Sequence, residues 1–298
     1  MTRAIHSHNA LTRAVSRDGS LAFRTIVATE LVSMAASRHG TAPTASAALG
    51  RTLMASVLLA AAGKDGETVQ IQIRGDGPLG SVTAISDERG RVRGMVGNPA
   101  LDLPPRGDGK LDVGGAVGGN GMLAVVRYRP GWREPYSGIV PLVSGEIAED
   151  VAHYLAESEQ IPAALALGVH VRPDGEVAAA GGFLVQALPN ADTDTLSRLE
   201  ACLRELPPPT RLVLAGLDAE QILERVASGL ELGERYRSAP AFWCPCDIER
   251  VRRAVTLLGR EETRDMARRG EWVEVRCEFC GAEYRLHPDD VGALHRDA

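Results

Sequence analysis

The sequence lacks a long hydrophobic run and a secretory signal. Its longest apolar run, LMASVLLAAA at 53–62, is too short to span a bilayer and therefore predicts a buried helix. The first twenty residues carry Arg3, Arg13 and Arg17 and contain no apolar stretch of the kind that a signal peptide needs. We therefore expect a soluble, cytoplasmic protein without a membrane partner.

Positive charge is also scarce. The chain has 33 Lys and Arg against 39 Asp and Glu, which gives a net charge of −6. Residues 241–298 follow the same balance, with ten Arg against twelve Asp and Glu. A nucleic-acid-binding surface needs an excess of Lys and Arg to neutralise phosphates, so we expect no nucleic-acid partner.

Signatures of catalysis are missing too. The sequence has no G-x-S-x-G, no H-E-x-x-H and no pair of carboxylates at a telling spacing. Glycine-rich stretches occur at 74–80 and 117–121. A nucleotide-binding G-x-G-x-x-G motif follows a strand and opens a helix, and neither stretch does both. Turns are the better interpretation, and ATP binding is not expected. The sequence thus predicts a protein that is not an enzyme.

The residues that are present predict an α+β fold. Hydrophobic residues make up 44% of the chain, enough for a sizeable core. In the first part, Thr29 is a possible N-cap and Gly40 a possible C-terminal stop of one helix, and a second helix should begin near Pro43. Clusters of strands separated by helices favour a core domain of antiparallel sheets with helices, which we assign to residues 1–191.

Two further elements are predicted in this core domain. Apolar residues at helical spacing predict a helix over about 146–158. Asp174-Gly175, between two apolar runs, predicts the turn of a β-hairpin.

Residues 192–240 are predicted to form a helical linker. Its first helix has one apolar face, formed by Leu199, Cys202, Leu203 and Leu206. The triple proline 207–209 should end that helix. Asp218 and Gln221 form a possible capping pair ahead of a second apolar group, Ile222, Leu223 and Val226.

Cysteine is rare, yet four of the five cysteines lie in residues 241–298: Cys244, Cys246, Cys277 and Cys280. A structural zinc ion needs four deprotonated soft ligands in a tetrahedron, and two close cysteine pairs separated by a folded spacer supply them. Gly281 suits the tight turn of a metal-binding knuckle because glycine tolerates positive φ. The pattern predicts one metal site in a small C-terminal zinc-binding domain, 241–298.

The residues alone leave the role of this metal site open. It can be a structural staple for a segment too small to be stable by itself. It can also be a redox switch, because thiolates react with peroxide and neighbouring thiols resolve the product to a disulfide. A thioredoxin-like oxidoreductase is disfavoured, since a glycine follows Cys280 and no βαβ context surrounds the pair.

The remaining cysteine and the nearby histidines have simpler interpretations. Cys202 lies among leucines at helical spacing and is expected to be a buried small hydrophobe. His287 and His295 are expected at the surface, since four thiolates already complete a zinc shell.

Several stretches, taken in order, resemble the heat-shock protein 33 family of redox-regulated holdase chaperones. They are QIRGDGP (72–78), SGIV (137–140), ESEQIP (157–162), AAGGFLVQALP (179–189) and the pair C-P-C and C-E-F-C-G. The resemblance runs from about residue 20 to the C-terminal segment, and the cysteine spacing is its most specific part.

The resemblance implies a mechanism. It implies that Cys244, Cys246, Cys277 and Cys280 hold one Zn²⁺ per chain in the reduced, inactive form and act as redox sensors. Oxidation would form the disulfides Cys244–Cys246 and Cys277–Cys280, release zinc and unfold a linker that wraps the core. The protein would then hold unfolding client proteins without ATP, typically as a homodimer.

The linker departs from the family pattern: it contains the triple proline 207–209 and carries fewer charges than the resemblance leads us to expect of that family's linker. Two alternatives also stay open from the residues. The chain can carry a purely structural zinc ribbon that binds nucleic acid, which its acidity disfavours, or one appended to an enzyme domain.

Overall fold

A computed structural model describes residues 9–64 and 66–295. The chain divides into two compact units, Met1–Phe242 and Trp243–Ala298. Both mix helices with β-sheet, and all strand pairs but one are antiparallel in the described ranges, so the predicted α+β class is confirmed. None of the helices in these ranges combines the length and hydropathy that crossing a bilayer requires.

The first unit contains two sheets and seven described helices. Its strands are Ala10–Ser16 (β1), Leu21–Val27 (β2), Thr68–Gly75 (β3), Ser81–Asp87 (β4), Arg91–Val96 (β5), Gly121–Tyr128 (β6), Tyr136–Pro141 (β7), Ala163–Val171 (β8), Val177–Ala187 (β9), Leu232–Ser238 (β10) and Ala241–Phe242 (β11). Its helices are Thr29–His39 (α1), Pro43–Ala60 (α2), Val113–Val117 (α3), Ala148–Glu157 (α4), Thr193–Glu205 (α5), Pro209–Leu214 (α6) and Ala219–Val226 (α7). The strand orders are β10-β1-β2-β9-β8 and β11-β5-β4-β3-β6-β7.

Helix α2 is the centre of the main core, with strands of both sheets against it. Every residue from Thr44 to Ala60 is buried except Arg51, whose guanidinium pairs with Glu146 at 2.5 Å. The apolar run 53–62 contains the last turns of this helix, which are buried as its hydropathy predicts. At Gly50 an added Cβ would lie 2.6 Å from a methyl group of Val32, so only glycine allows this approach of α1.

Helices α5, α6 and α7 cover the other face of the five-stranded sheet. Their buried side chains form a second core with residues of β1, β2 and β9. The helical members are Leu199, Leu212, Val213, Ala219, Ile222, Leu223 and Val226, and the strand members include Leu21, Phe23 and Phe183. The predicted linker therefore lies packed on the sheet, with its apolar faces turned away from solvent.

The second unit is small and has little apolar core. It contains Ile248–Thr256 (α8), Arg260–Arg269 (α9), the hairpin Val273–Arg276 (β12) with Glu283–Leu286 (β13), and Pro288–Ala293 (α10). Its core cluster has four buried side chains, those of Val251, Val255, Leu286 and Val291. A unit of this size needs a further crosslink for stability.

The structure differs from the sequence predictions at several helix ends. Helix α1 begins at Thr29, so the N-cap is Ala28, and the Thr29 hydroxyl instead accepts a hydrogen bond from the Ala180 N–H. Gly40 does end α1 in the left-handed conformation. Ile147, predicted inside a helix, is the N-cap of α4 with φ of 74°.

The linker is not helical throughout. Residues 232–238 form β10, which pairs antiparallel with β1 at the edge of the five-stranded sheet. The predicted capping pair is confirmed: Asp218 accepts from the Gln221 N–H, and Gln221 accepts from the Asp218 N–H. The boundary between the two compact units follows Phe242, while the functional division into 1–191, 192–240 and 241–298 stays a prediction.

Candidate metal centre

The second cysteine pair lies in the turn of the β12–β13 hairpin. Cys277 directly follows β12, and its carbonyl accepts from the N–H groups of Cys280 and Gly281 at 3.3 and 2.8 Å. The Cys277 N–H in turn donates to the Ala282 carbonyl. Gly281 has φ of 69°, which confirms the positive φ expected of the knuckle. This turn holds both thiols on one side of the hairpin end.

The first pair precedes helix α8. Cys244 and Cys246 flank Pro245 in an irregular segment, and Asp247 then caps α8 by accepting from the Arg250 N–H at 2.7 Å. The cap fixes where the helix begins, and so it fixes the position of the thiol next to it.

The four sulfurs come together as one group. All lie within 4.8 Å of one another. Cys244 Sγ is 3.8 Å from Cys277 Sγ, and Cys246 Sγ is 3.2 Å from Cys280 Sγ. A tetrahedral site with metal–sulfur bonds of 2.3 Å has sulfur–sulfur edges of about 3.8 Å. The four cysteines are therefore positioned to hold one metal ion.

The thiols differ in how readily they ionise. Burial raises the pKa of the Cys244 thiol to about 11 and also raises the pKa of Cys280. Burial acts in the same direction at Cys246, but hydrogen bonds from Tyr284 and Cys280 outweigh it and lower its pKa. Metal coordination favours thiolates at such positions because the cation replaces the proton.

Tyr284 is a site residue that the sequence did not reveal. Its hydroxyl donates to Cys246 Sγ at 3.1 Å, and this bond raises the pKa of the tyrosine. Tyr284 lies on β13 opposite Val275, so the hairpin register brings it to the cysteines. No spacing rule marks such a contact in the sequence.

The other candidate residues lie outside this group. Cys202 is half-buried rather than buried, and its Sγ is 3.6 Å from the carbonyl oxygen of Arg225. His287 is exposed, as expected, and accepts from the Asp289 N–H at the start of α10. His295 was also expected at the surface but is half-buried.

Comparisons with known proteins agree with these features. The family model described as "Hsp33 protein" matches residues 9–287. The 33 kDa chaperonin of Geobacter sulfurreducens is 44% identical over 284 residues, which cover 95% of this chain and 94% of that protein. The 33 kDa chaperonin of Bacillus subtilis is 39% identical over 285 residues, which cover 95% and 97%.

A solved structure shows the same fold. The crystal structure of the 33 kDa chaperonin, a heat shock protein 33 homolog, from Thermotoga maritima aligns with a TM-score of 0.90 at 34% identity, covering 98% of this chain and 99% of that chain. The family resemblance noted in the sequence is confirmed, and this is a family of chaperones and not of enzymes. The chain belongs to the Hsp33 family.

Proposed function

We propose that this protein is a redox-regulated, ATP-independent holdase that binds unfolding proteins after oxidation of a four-cysteine zinc centre. The observation that carries the proposal is the gathering of four thiols within 4.8 Å in a unit with only four buried side chains in its core cluster. The stability of that unit depends on the state of its cysteines, and this dependence is what a redox switch requires.

The ion that fits the donor set is zinc, one per chain in the reduced form. Cys244, Cys246, Cys277 and Cys280 offer soft sulfur ligands, and four thiolates leave no open coordination position. Zinc in thiolate sites of this kind supplies a structural crosslink worth roughly 10–16 kcal/mol. A whole domain is stable by only about 5–15 kcal/mol, so loss of the crosslink would unfold this unit.

Peroxide would oxidise the cysteines in two steps. One thiolate attacks a peroxide oxygen, which gives a sulfenic acid and hydroxide. The neighbouring thiolate then attacks the oxidised sulfur, the S–S bond forms, and a second hydroxide leaves. Each disulfide thus takes two electrons from two thiols and reduces one H₂O₂ to two H₂O. We propose Cys244–Cys246 and Cys277–Cys280 as the pairs.

The client surface would come from the linker and the sheet beneath it. Buried faces of α5, α6 and α7 meet buried residues of β1, β2 and β9, among them Phe23 and Phe183. Release of these helices would uncover apolar area on both sides, and large exposed apolar patches bind other proteins. The division into core 1–191, linker 192–240 and zinc domain 241–298 follows these roles.

The partners follow from the same argument. Unfolded or partly unfolded proteins are the clients, and the active form is a homodimer because a freshly exposed apolar face also suits a second copy. The net charge of −6 argues against nucleic acid as a partner. We place the protein in the cytoplasm, where reduced thiols are maintained until oxidative stress.

The test measures zinc content, apolar dye fluorescence and suppression of client aggregation in the same samples, before and after peroxide treatment. We expect one zinc per chain, weak dye binding and little suppression in the reduced form. Oxidation should release zinc and raise both other signals, without added ATP. Equal suppression in both forms would refute the switch, and suppression without a rise in dye binding would assign client binding to another surface.

A further inference from the structure

A cavity of about 570 Å³ opens in the first unit between strands β1, β2 and β10 and the end of helix α2. Three of its lining residues are arginines, Arg13, Arg17 and Arg24. Apolar atoms from residues such as Ala22 and Ala62 complete the wall. The proposed redox centre uses none of the three arginines, because its four cysteines belong to the second unit.

Two of the arginines face each other on the inner side of the sheet. In the antiparallel register Arg13 lies opposite Arg24, just as Leu11 lies opposite Ile26 on the same face. Leu11 and Ile26 belong to the main hydrophobic core. Like charges directly opposite on a sheet are destabilising, so an arginine pair at this place needs an explanation.

Of the three arginines, Arg24 is the one whose charge the surrounding residues balance least. Its residue is only 9% exposed, and among the described residues its one hydrogen-bond acceptor is Gln186 Oε1. Within the same ranges no carboxylate oxygen comes within 4.0 Å of its nitrogens. Burial, and after it the charges of Arg127 and Arg13, lower its pKa to about 10, and the opposing charge of Glu159 offsets this only in part. A buried cation without a matching anion is costly in a folded protein.

Structural roles explain Arg13 and Arg17 but not Arg24. Arg13 donates to the carbonyl of Ala61 at the end of α2, and its guanidinium lies 5.9 Å from the centre of the Tyr236 ring. Arg17 pairs with Glu231 at the exposed rim. In the described part of the chain Arg24 donates only to the neutral amide of Gln186, so most of its N–H donors have no acceptor there.

The chemistry of the cavity indicates its ligand. Guanidinium groups bind the planar oxygens of carboxylate and phosphate by paired hydrogen bonds. A volume near 570 Å³ suits a small molecule. Glu234 at the rim, which accepts from the Tyr236 hydroxyl, disfavours an extended polyanion. We propose that the arginine pocket, Arg13, Arg17 and Arg24 with their apolar surroundings, binds a small oxyanion, a phosphate monoester or a carboxylate with a compact apolar body.

The test uses titration calorimetry on the reduced, zinc-loaded full chain at low salt. The probes are phenyl phosphate and benzoate, which share a ring but differ in the head group, with benzyl alcohol as the neutral control. We expect at least one of the two anions to bind at submillimolar concentration and the alcohol not to bind. Binding by phenyl phosphate alone identifies a phosphate ester, and binding by benzoate alone identifies a carboxylate.

Variants locate the binding. Arg24→Met should lower the affinity for the anion by about tenfold or more, because hydrogen bonds to charged groups are among the stronger ones. Without ligand it should melt no lower than the wild type, since methionine removes an unpaired buried charge. Arg74→Met, at an exposed position of strand β3, is the matched control and should bind like the wild type.

The outcomes are decisive in either direction. If neither anion binds at millimolar concentration, or if Arg24→Met binds as the wild type does, the pocket is not an oxyanion site. If Arg24→Met fails to fold, the exposed rim variant Arg17→Met takes its place. It should weaken binding several-fold, and unchanged affinity there would equally overturn the proposal.

Discussion

At the residue scale, Cys202 is the internal control for the other cysteines. It lies on α5 in the first unit, whereas Cys244, Cys246, Cys277 and Cys280 form one group in the second. We expect reduced wild-type protein and Cys202→Ser each to contain one zinc per chain. Replacing the four grouped cysteines by serine should abolish binding, because serine offers no thiolate. Metal analysis after reduction and dialysis checks this, and zinc retained by the fourfold variant would contradict it.

Asp150 organises the loop before α4. It is fully buried, and its carboxylate accepts four backbone N–H bonds, from Val143, Ser144 and Gly145 at 2.8–3.2 Å and from Ile147 at 2.9 Å. Ile147 has φ of 74°, a strained conformation for a β-branched residue. The carboxylate offsets that strain by accepting from four of the five N–H groups between residues 143 and 147, and the Glu146 N–H donates to Ser144 Oγ instead.

We predict that Asp150→Ala destabilises the protein by about 3 kcal/mol or more, because it leaves several buried N–H groups without an acceptor. Asp150→Asn, which keeps one acceptor oxygen, should lose less. Glu149→Ala, the exposed neighbour on the same helix, should stay within about 0.5 kcal/mol of the wild type. Urea unfolding followed by circular dichroism measures all three, and an Asp150→Ala midpoint equal to that of Glu149→Ala would refute the role.

At the element scale, α7 is the most deeply buried part of the linker. Ile222, Leu223 and Val226 are 0% exposed and lie against the five-stranded sheet. In the proposed cycle this packing opposes activation, because the client surface is uncovered only when the helices leave the sheet. Weakening it should therefore lower the oxidant threshold.

We predict that Ile222→Ala weakens the docking of α7 by about 2–5 kcal/mol, through lost burial and a new cavity. It should suppress client aggregation at a lower peroxide dose than the wild type, and α7 amides should exchange faster in the reduced form. Arg225→Ala, at an exposed position of the same helix, should keep the wild-type threshold. Faster exchange with an unchanged threshold would separate α7 from the switch.

Elements held by local interactions were predictable from the sequence, and elements held by distant ones were not. The Asp218–Gln221 cap of α7 depends on residues three apart, so spacing reveals it. Strand β10 depends on pairing with β1, more than two hundred residues earlier, and is largely exposed. Its sequence therefore has no strong apolar alternation to recognise.

The residues of the metal centre also fall into those that the sequence reveals and those that only the structure reveals. The four cysteines are few and closely spaced, and their chemistry has few alternatives, so the sequence suffices to find them. Tyr284 contacts Cys246 only because the β12–β13 register brings it there. Arg24 is likewise a candidate binding residue only because it lies opposite Arg13 and lines a cavity. Neither property can be read from a single arginine in the sequence.

At the scale of the whole molecule, the two units differ in what stabilises them. The first contains two hydrophobic core clusters, built around α2 and around the linker helices. The second has one cluster of four buried side chains and the group of four cysteines. Chemical change at the cysteines should therefore unfold the second unit first while the main core persists. Cys244 is two residues beyond β11, so unfolding of the second unit would begin close in sequence to the end of the linker.

The order of oxidation should follow from backbone geometry. A disulfide needs Cα atoms roughly 4.4–6.8 Å apart. Cys277 and Cys280 are already joined by a turn, whose first and fourth Cα atoms lie within about 7 Å. An extended two-residue step from Cys244 to Cys246 spans about 6.6–7.2 Å, and Pro245 keeps its predecessor extended. A Cys244–Cys246 disulfide therefore needs a bend of the backbone that the folded segment resists.

We predict that Cys277–Cys280 forms first and that Cys244–Cys246 follows only when the second unit has loosened. Peroxide at low temperature should give the first disulfide with little chaperone activity, whereas peroxide with mild heat should give both disulfides and full activity. Heat alone, without oxidant, is the control and should give neither. Peptide mapping over the time course, sampled together with aggregation assays, follows both bonds.

In the folded form the nearest sulfurs belong to different pairs, Cys246 with Cys280 at 3.2 Å and Cys244 with Cys277 at 3.8 Å. A crossed disulfide, or Cys244–Cys246 appearing first in protein that is still folded, would overturn the proposed order, because it would mean that sulfur proximity outweighs the backbone constraint.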